Sequence, residues 1–415
     1  MRIVSVAPVV PFDGIPHAGG QYYLRHLRAL ADDGHEVTVV APDSDDNRAA
    51  RARSTVTATI VLVPLPAPRR GLRRLTALDE RQQRRFFPVR PVRRVRRAFA
   101  QSAEVRALFA AADAVEFQWT QMGWFARWVG APARRLVFAH DVMLQSAERF
   151  LAAAGSRWSP RGLVARVRLA TVRRDERRVY TDVDTVLVFS AKDAAVVHRA
   201  ARSAAPVRVV RPPLAEPAAP GAASGAASAV ATATGGGTVL FVGAFDRSVN
   251  ADAALWTLRE IAPRVHRRHP GARFVFAGAN PTDEMRREAE LVPDTVTVTG
   301  RVDSLEEYYA DAALVLIPLR SGAGVKFKTV DAMVRAIPVV STSIGVEGIV
   351  DDVLSAFAVA DDAAGLADGV CAALDEPAGA RRQARAVQPA AAAEFSVERF
   401  RRTLADVYAP ASDES

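Results

Sequence analysis

One cysteine, Cys371, stands among 415 residues. No disulfide can form within the chain, which agrees with a reducing compartment. Lysine is almost as scarce: the 55 basic residues include only Lys192, Lys326 and Lys328, leaving 52 arginines. No apolar run approaches the ~18 residues that span a bilayer. The N-terminal stretch MRIVSVAPVVPF is apolar, but it has one basic residue, no small-residue cleavage site and early interruptions at Pro8 and Pro11. Those features argue against a secretion signal and for a buried first strand. The expected location is cytoplasmic, with attachment at the inner face of the membrane left open. Acids are outnumbered by bases, giving a net charge of +9, which suits nucleic acid, an anionic membrane or anionic substrates.

The charge is unevenly spread. Between Arg69 and Arg97 lie twelve arginines and two acids, Asp79 and Glu80, interleaved with Leu72, Leu75, Phe86, Phe87, Val92 and Val95. This pattern suits an anionic membrane surface and equally a solvated arginine-rich helix and loop. No familiar nucleic-acid motif is present, so no nucleic-acid partner is expected.

Strand-like and helix-like stretches alternate in two halves. Arg2–Val10 reads as a strand, followed by a loop holding Gly19-Gly20, a helix through QYYLRHLRALADDGH, and the strand EVTVVAP. Strand, helix and strand in that order form a βαβ unit of a parallel sheet. AVEFQW, RLVFAHD and TVLVFS continue the pattern. The tract PPLAEPAAPGAASGAASAVATATGG, with almost no large apolar residue, reads as a linker. A second alternating series begins at TVLFVGAF, and the chain ends in an amphipathic helix carrying Phe395, Phe400, Leu404 and Tyr408. The expected organisation is an α/β N-terminal domain (1–211), a linker (212–236), an α/β C-terminal domain (237–390) and a terminal helix with tail (391–415). Two doubly wound domains imply a cleft, with ligands at the carboxyl ends of the strands.

Two of the three lysines fall within SGAGVKFKTVDAM, just after the apolar strand ALVLIP. Gly322 and Gly324 permit a tight turn and a close backbone approach. The helix that follows offers free N–H groups and a positive dipole end. Lys326 and Lys328 add compact charges suited to phosphate oxygens. Asp331, about one turn farther along, can accept from ribose hydroxyls. The pattern fits a diphosphate joined to a ribose, and it is not a P-loop, since GxxxxGK[ST] is absent. The alternative is a βα loop with exposed lysines. DSDD at 43–46 reads as a solvated turn, and no metal is expected.

The stretches VLFVGAFDRSVNADAALWTLREIAP and VTVTGRVDSLEEYYADAALVLIPLRSGAGVKFKTVDAMVRAIPVVSTSIGVEGI, together with MRIVSVAP, GHEVTVVAP, LVFAHDV and VDTVLVFSAKD, closely resemble glycosyltransferase family 4. The resemblance is strongest over 238–350. It implies the GT-B fold, two Rossmann-like doubly wound domains facing across a cleft, and transfer of a sugar from a nucleotide-diphosphate donor with retention of configuration. It implies that Lys326 and Lys328 neutralise the leaving diphosphate, that Asp331 takes the ribose position usually held by glutamate, and that the base lies near Gly300, Arg301 and Val302. The family's first acid would fall at Ala323, where it is missing. Arg247 is assigned to phosphate. His140, at a strand end before Asp141, is placed by a sugar hydroxyl, the alternative being a structural His beside a helix-capping Asp. Gly19 and Gly20 are assigned to backbone approach toward the diphosphate or acceptor, or to a plain turn. Glu347 fits the family pattern without a derived role. The family usually attacks from the face of departure, so no protein nucleophile is nominated and no cofactor beyond the donor is expected. The implied acceptor is a glycan, a lipid-linked glycan or another molecule, in polysaccharide biosynthesis at the membrane face. A nucleotide-sugar epimerase of the same fold and a non-catalytic basic adaptor are the alternatives.

Overall fold

The computed structural model describes residues 1–415 except 16–17, 68–72, 153, 156–158, 202–204, 214–236, 323, 350–356 and 410–415. The chain forms two compact units, one of Met1–Pro212 with the residues from Arg401 on, the other of Pro213–Phe400. Most of the expected linker, and Ala323, lie outside the described residues.

The first unit holds seven parallel strands: β1 (Arg2–Val6), β2 (Glu36–Asp43), β3 (Thr59–Pro64), β4 (Ala114–Gln118), β5 (Arg134–Ala139), β6 (Thr185–Val188) and β7 (Val207–Val209), in the order β3-β2-β1-β4-β5-β6-β7. Helices cover the sheet, which is why most of these strands are rich in Val, Ile and Leu. β4 is the exception: all five of its residues are buried, yet two of them are Glu116 and Gln118. The winding reverses between β1 and β4.

The second unit repeats the plan with six parallel strands: β8 (Thr238–Val242), β9 (Arg273–Ala277), β10 (Val296–Gly300), β11 (Ala312–Ile317), β12 (Val339–Ser341) and β13 (Phe357–Val359), in the order β10-β9-β8-β11-β12-β13. Here the reversal falls between β8 and β11. The helix expected through ADAALWTLREIAPRVHRR is interrupted. An α-helix (Ser248–Trp256) passes into a π segment (Thr257–Ile261) before a short helix, Ala262–His266. Pro263 has no N–H to continue the ladder, and the wider π turn makes room for its ring.

Phe395, the C-cap of the helix Pro377–Glu394, packs with Val330 and Met333 of the second unit. From Arg401 on, the helix Val397–Tyr408 belongs to the first, where Arg134 donates to the carbonyls of Val407 (2.8 Å) and Ala409 (2.9 Å). Part of the arginine-rich segment is committed to packing. Arg90 makes a paired contact with the buried Asp175 (2.5 and 2.9 Å), and Arg90, Arg96 and Arg178 surround the Trp124 ring. Among the described residues no helix is long and apolar enough to cross a membrane.

Candidate functional site

In doubly wound sheets the ligand crevice opens past the carboxyl ends of the strands that flank the reversal. In the second unit β11 leads through Gly322 and Gly324 to Lys326, which is the N-cap of the helix Phe327–Val334. Lys326 supplies no side-chain cap, so the first N–H groups of that helix are not served by one. Gly322 (φ 118°) and Gly324 (φ 75°) both lie in the left-handed region, the conformation the turn demands of them.

Lys328 points to the β8 side. Its ammonium donates to Asn250 Oδ1 (2.9 Å) and lies 4.5 Å from the centre of the Phe241 ring. Asn250 spends its amide N–H on the carbonyl of Ala244 (2.8 Å), so its oxygen is the end turned to the lysine. A Cβ on Gly243 would sit 3.3 Å from the lysine nitrogen. Burial, with the positive charges of Arg247 and Lys326 nearby, pulls the Lys328 pKa down to about 7. Lys326 donates to the Gly324 carbonyl and lies 3.6 Å from the buried carboxylate of Glu347. Glu347 is thereby placed as the counter-charge behind Lys326.

Arg247 is the exposed N-cap of the helix after β8. Gly243, Gly278 and Gly300 end three neighbouring strands, with Gly243 N–H on the Ala277 carbonyl (3.0 Å) and Gly278 N–H on the Gly300 carbonyl (3.2 Å). Gly278 has φ 143°, and a Cβ there would overlap the Gly243 carbonyl oxygen, so this floor must be bare backbone. Arg301, exposed, and Val302, half-buried, follow the floor at its β10 end. Asp331 lies 3.4 Å from Arg335, whose guanidinium is held by Glu306 (2.5 Å) and stacks over Tyr309 (4.6 Å to the ring centre). The structure therefore brings Lys326, Lys328 and Arg247 together. It sets Asp331 in a separate ion-pair cluster farther along the same helix.

The first unit's reversal carries different chemistry. His140, just past β5, is buried, and its Nε2 lies at hydrogen-bond distance, 2.9 Å, from the acceptor Gln118 Oε1. Trp119 stacks on it (4.0 Å between centres, 17°) and holds φ 64°. A bulky residue in the left-handed region is strained, and such strain concentrates at functional sites. Gly19 and Gly20 are not in a loop as the sequence suggested. They form the first turn of the helix Ala18–Asp32. What Gly19 supplies is space, since a Cβ would stand 3.0 Å from the Trp119 ring and 3.3 Å from His140 Nδ1. The same helix face delivers Tyr22, Tyr23 and His26, all fully buried. His26 pairs with Glu116 (2.8 Å). Burial pushes the Glu116 pKa up, but His26 and the hydroxyls of Ser5 and Tyr408 more than offset this and hold it below the usual range.

The N–H groups of Met143 (2.6 Å) and Leu144 (3.1 Å) go to the buried carboxylate of Glu176, whose pKa burial raises to about 8. Sequence reasoning missed Asn250, His26, Glu116, Gln118 and Trp119. AVEFQW held the available signal: two polar side chains on the same face of a strand otherwise read as apolar. Among the described residues no group of three or more His, Cys, Asp and Glu side chains is gathered to hold a metal ion.

The family model described as Glycosyl transferases group 1 matches residues 236–376. An uncharacterized 44.6 kDa protein of the cps region of Klebsiella pneumoniae is 33% identical over 116 residues, a match spanning 26% of this chain and 30% of that protein. Sucrose-phosphate synthase from Thermosynechococcus elongatus superposes with a TM-score of 0.66 at 18% identity over 98% of both chains. HepE of Anabaena, solved with UDP and glucose, gives 0.66 at 13% identity over 98% of this chain and 99% of its own. WaaG, a glycosyltransferase involved in lipopolysaccharide biosynthesis, gives 0.62 at 15% identity over 97% and 99%. The fold class is the α/β GT-B class of these structures.

Proposed function

We propose that this chain is a retaining glycosyltransferase of family 4 that takes its sugar from a nucleotide-diphosphate donor. The observation that carries the reading is the cation cluster at the β8/β11 reversal. Lys328 meets an amide oxygen and an aromatic face rather than a carboxylate, beside Lys326, Arg247 and an uncapped helix N-terminus. Like charges gathered this way lower one another's stability unless an anion joins them. A diphosphate is the anion whose charge grows as the sugar leaves, and fixed cations there stabilise that charge. Asp331 is assigned to the ribose, and the backbone at Gly300, Arg301 and Val302 to the base. In the first unit, His140 is assigned to a sugar hydroxyl, and Gly19 and Gly20 to close backbone approach. No protein nucleophile, metal or further cofactor is assigned.

UDP, present with glucose in the HepE structure, is the first nucleotide to test. Calorimetric titration with UDP, GDP, ADP and TDP should show binding of at least one. The Lys326→Ala/Lys328→Ala variant should bind it ~100-fold more weakly, because both ammonium–phosphate hydrogen bonds are removed. Binding of none of them overturns the reading. A panel of nucleotide sugars assayed for donor hydrolysis then identifies the sugar.

The acceptor is assigned to the surface of an anionic membrane. Leu75 (60% exposed) and Leu78 (52%) protrude from the helix Arg73–Phe86, beside the exposed Arg74, Arg81, Arg84 and Arg85. That helix packs on Pro160–Thr181, where Leu163 and Val167 are also exposed. Protruding apolar side chains within a basic rim suit an anionic lipid surface. Co-sedimentation with phosphatidylglycerol vesicles should be lost in Leu75→Glu/Leu78→Glu. Equal binding to neutral vesicles would sink the assignment.

A further inference from the structure

Glu116 stands on β4, opposite Ser5 of β1 in register, with no exposed surface. Four groups reach its two oxygens. Ser5 Oγ and Gln118 Nε2 (3.0 Å) approach Oε1, while His26 Nε2 (2.8 Å) and the Tyr408 hydroxyl approach Oε2. An ionised carboxylate only accepts, so all four must donate. Tyr23 in turn supplies the proton for Ser5 Oγ, 2.7 Å away.

This fixes the direction of the Gln118 amide. Its NH2 faces Glu116, so its oxygen faces His140 Nε2 at 2.9 Å. An amide oxygen cannot donate, so His140 must carry its proton on Nε2. In the neutral ring the lone pair then lies on Nδ1, at the edge beside Gly19. Trp119 on one face, with Tyr22 and Phe189 edges at 5.1 Å, restrains the ring from turning over.

We propose that Gln118 is a positioning residue that holds His140 in the Nε2–H tautomer, its amide aimed by the buried Glu116. Nδ1 is therefore a hydrogen-bond acceptor. His140 recognises a donor group such as a hydroxyl and does not deliver a proton to one. Only the identity of that hydroxyl rests on the glycosyltransferase reading.

The test is a long-range proton–nitrogen spectrum of the full chain labelled with nitrogen-15 histidine at pH 8, with the His140 signals assigned from their loss in His140→Gln. The wild type should show the Nε2–H form in more than ~10-fold excess over Nδ1–H, the bias one good hydrogen bond supplies. Gln118→Met, similar in length but unable to accept from the ring as an amide does, should bring the ratio below ~3-fold. Tyr408→Phe removes a donor from the other carboxylate oxygen and should leave the ratio unchanged. A wild-type ring protonated mainly on Nδ1 overturns the proposal without any variant, and so does an unchanged ratio in a folded Gln118→Met. Donor turnover gives a second readout: Gln118→Met should lower kcat ~10-fold while nucleotide Kd stays at the wild-type value. Unchanged kcat overturns the positioning role. Failure of the wild type to bind any nucleotide defeats the glycosyltransferase reading and leaves the spectroscopic arm standing.

Discussion

The two sheets share one winding plan and carry opposite electrostatics where it reverses. Between β1 and β4 the charges are settled internally: Glu116 is ionised, fully buried and satisfied by Ser5, Gln118, His26 and Tyr408. Between β8 and β11 the positive charge is only partly settled: among the described residues Lys326 has the Glu347 carboxylate at 3.6 Å, while Lys328 meets Asn250 and the Phe241 ring rather than a carboxylate, with Arg247 nearby. The first arrangement holds side chains in place. The second holds cations at a cost to stability, which is reasonable only if an anion comes to them.

The difference is broken most directly by deleting a charge from each. Glu116→Ala strands four buried donors and should cost ~3–5 kcal/mol, the range for breaking a buried charge network, read as a lower urea midpoint. Lys328→Met should cost the protein no stability at pH 6. A loss there as large as that of Glu116→Ala would erase the contrast.

The next effect is on pH. The Lys328 pKa of about 7 lies below that of an unfolded lysine. Between pH 7 and ~10.4 the unfolded chain therefore binds more protons, and this residue makes the second unit more stable as pH rises through that window. Ligand binding moves the other way. An anion raises the lysine pKa, so nucleotide affinity should be full below pH 7 and fall up to ~10-fold per unit above it, as calorimetry at several pH values would show.

Lys328→Arg sharpens the comparison further. The ammonium is enclosed by Asn250, Phe241 and Gly243, leaving little room for the broad guanidinium fork. Nucleotide binding at pH 6 should weaken ~10-fold, the worth of one charge-assisted hydrogen bond, and the decline above pH 7 should vanish because arginine stays charged. Equal affinity at pH 6 would show that shape is irrelevant. The smallest effect expected is from Gly19→Ala in the first unit. A Cβ there must displace Trp119 or His140 by only tenths of an ångström, and alanine favours the helix by up to ~1 kcal/mol. Thermal stability should barely change while donor turnover drops, since His140 is moved.

Much of this was legible in the linear chain. Apolar runs bounded by glycine marked most strands, because a parallel sheet covered on both faces needs them. The lysine pair was visible because lysine is nearly absent elsewhere, and His140 because it ends such a run. Gly19-Gly20 reads as a loop in the linear chain, because paired glycines usually do; only the fold shows the pair opening a helix, with the Trp119 ring close enough to Gly19 to crowd a Cβ. Glu347 carries no role derivable from the linear chain; the fold supplies one by setting its carboxylate 3.6 Å from Lys326.

The sequence by itself determined the doubly wound α/β plan and the position of the cation pair, since apolar periodicity, glycine turns and residue type are local properties. The tertiary structure alone decided which polar groups are neutralised. Glu116 finds His26 90 residues away and Tyr408 292 residues away, while Lys328 finds Asn250 at a distance of 78. A charge's protonation and its usefulness to a ligand depend on burial and on the nearest opposite charge, and both are set by how the chain folds rather than by its neighbours in sequence.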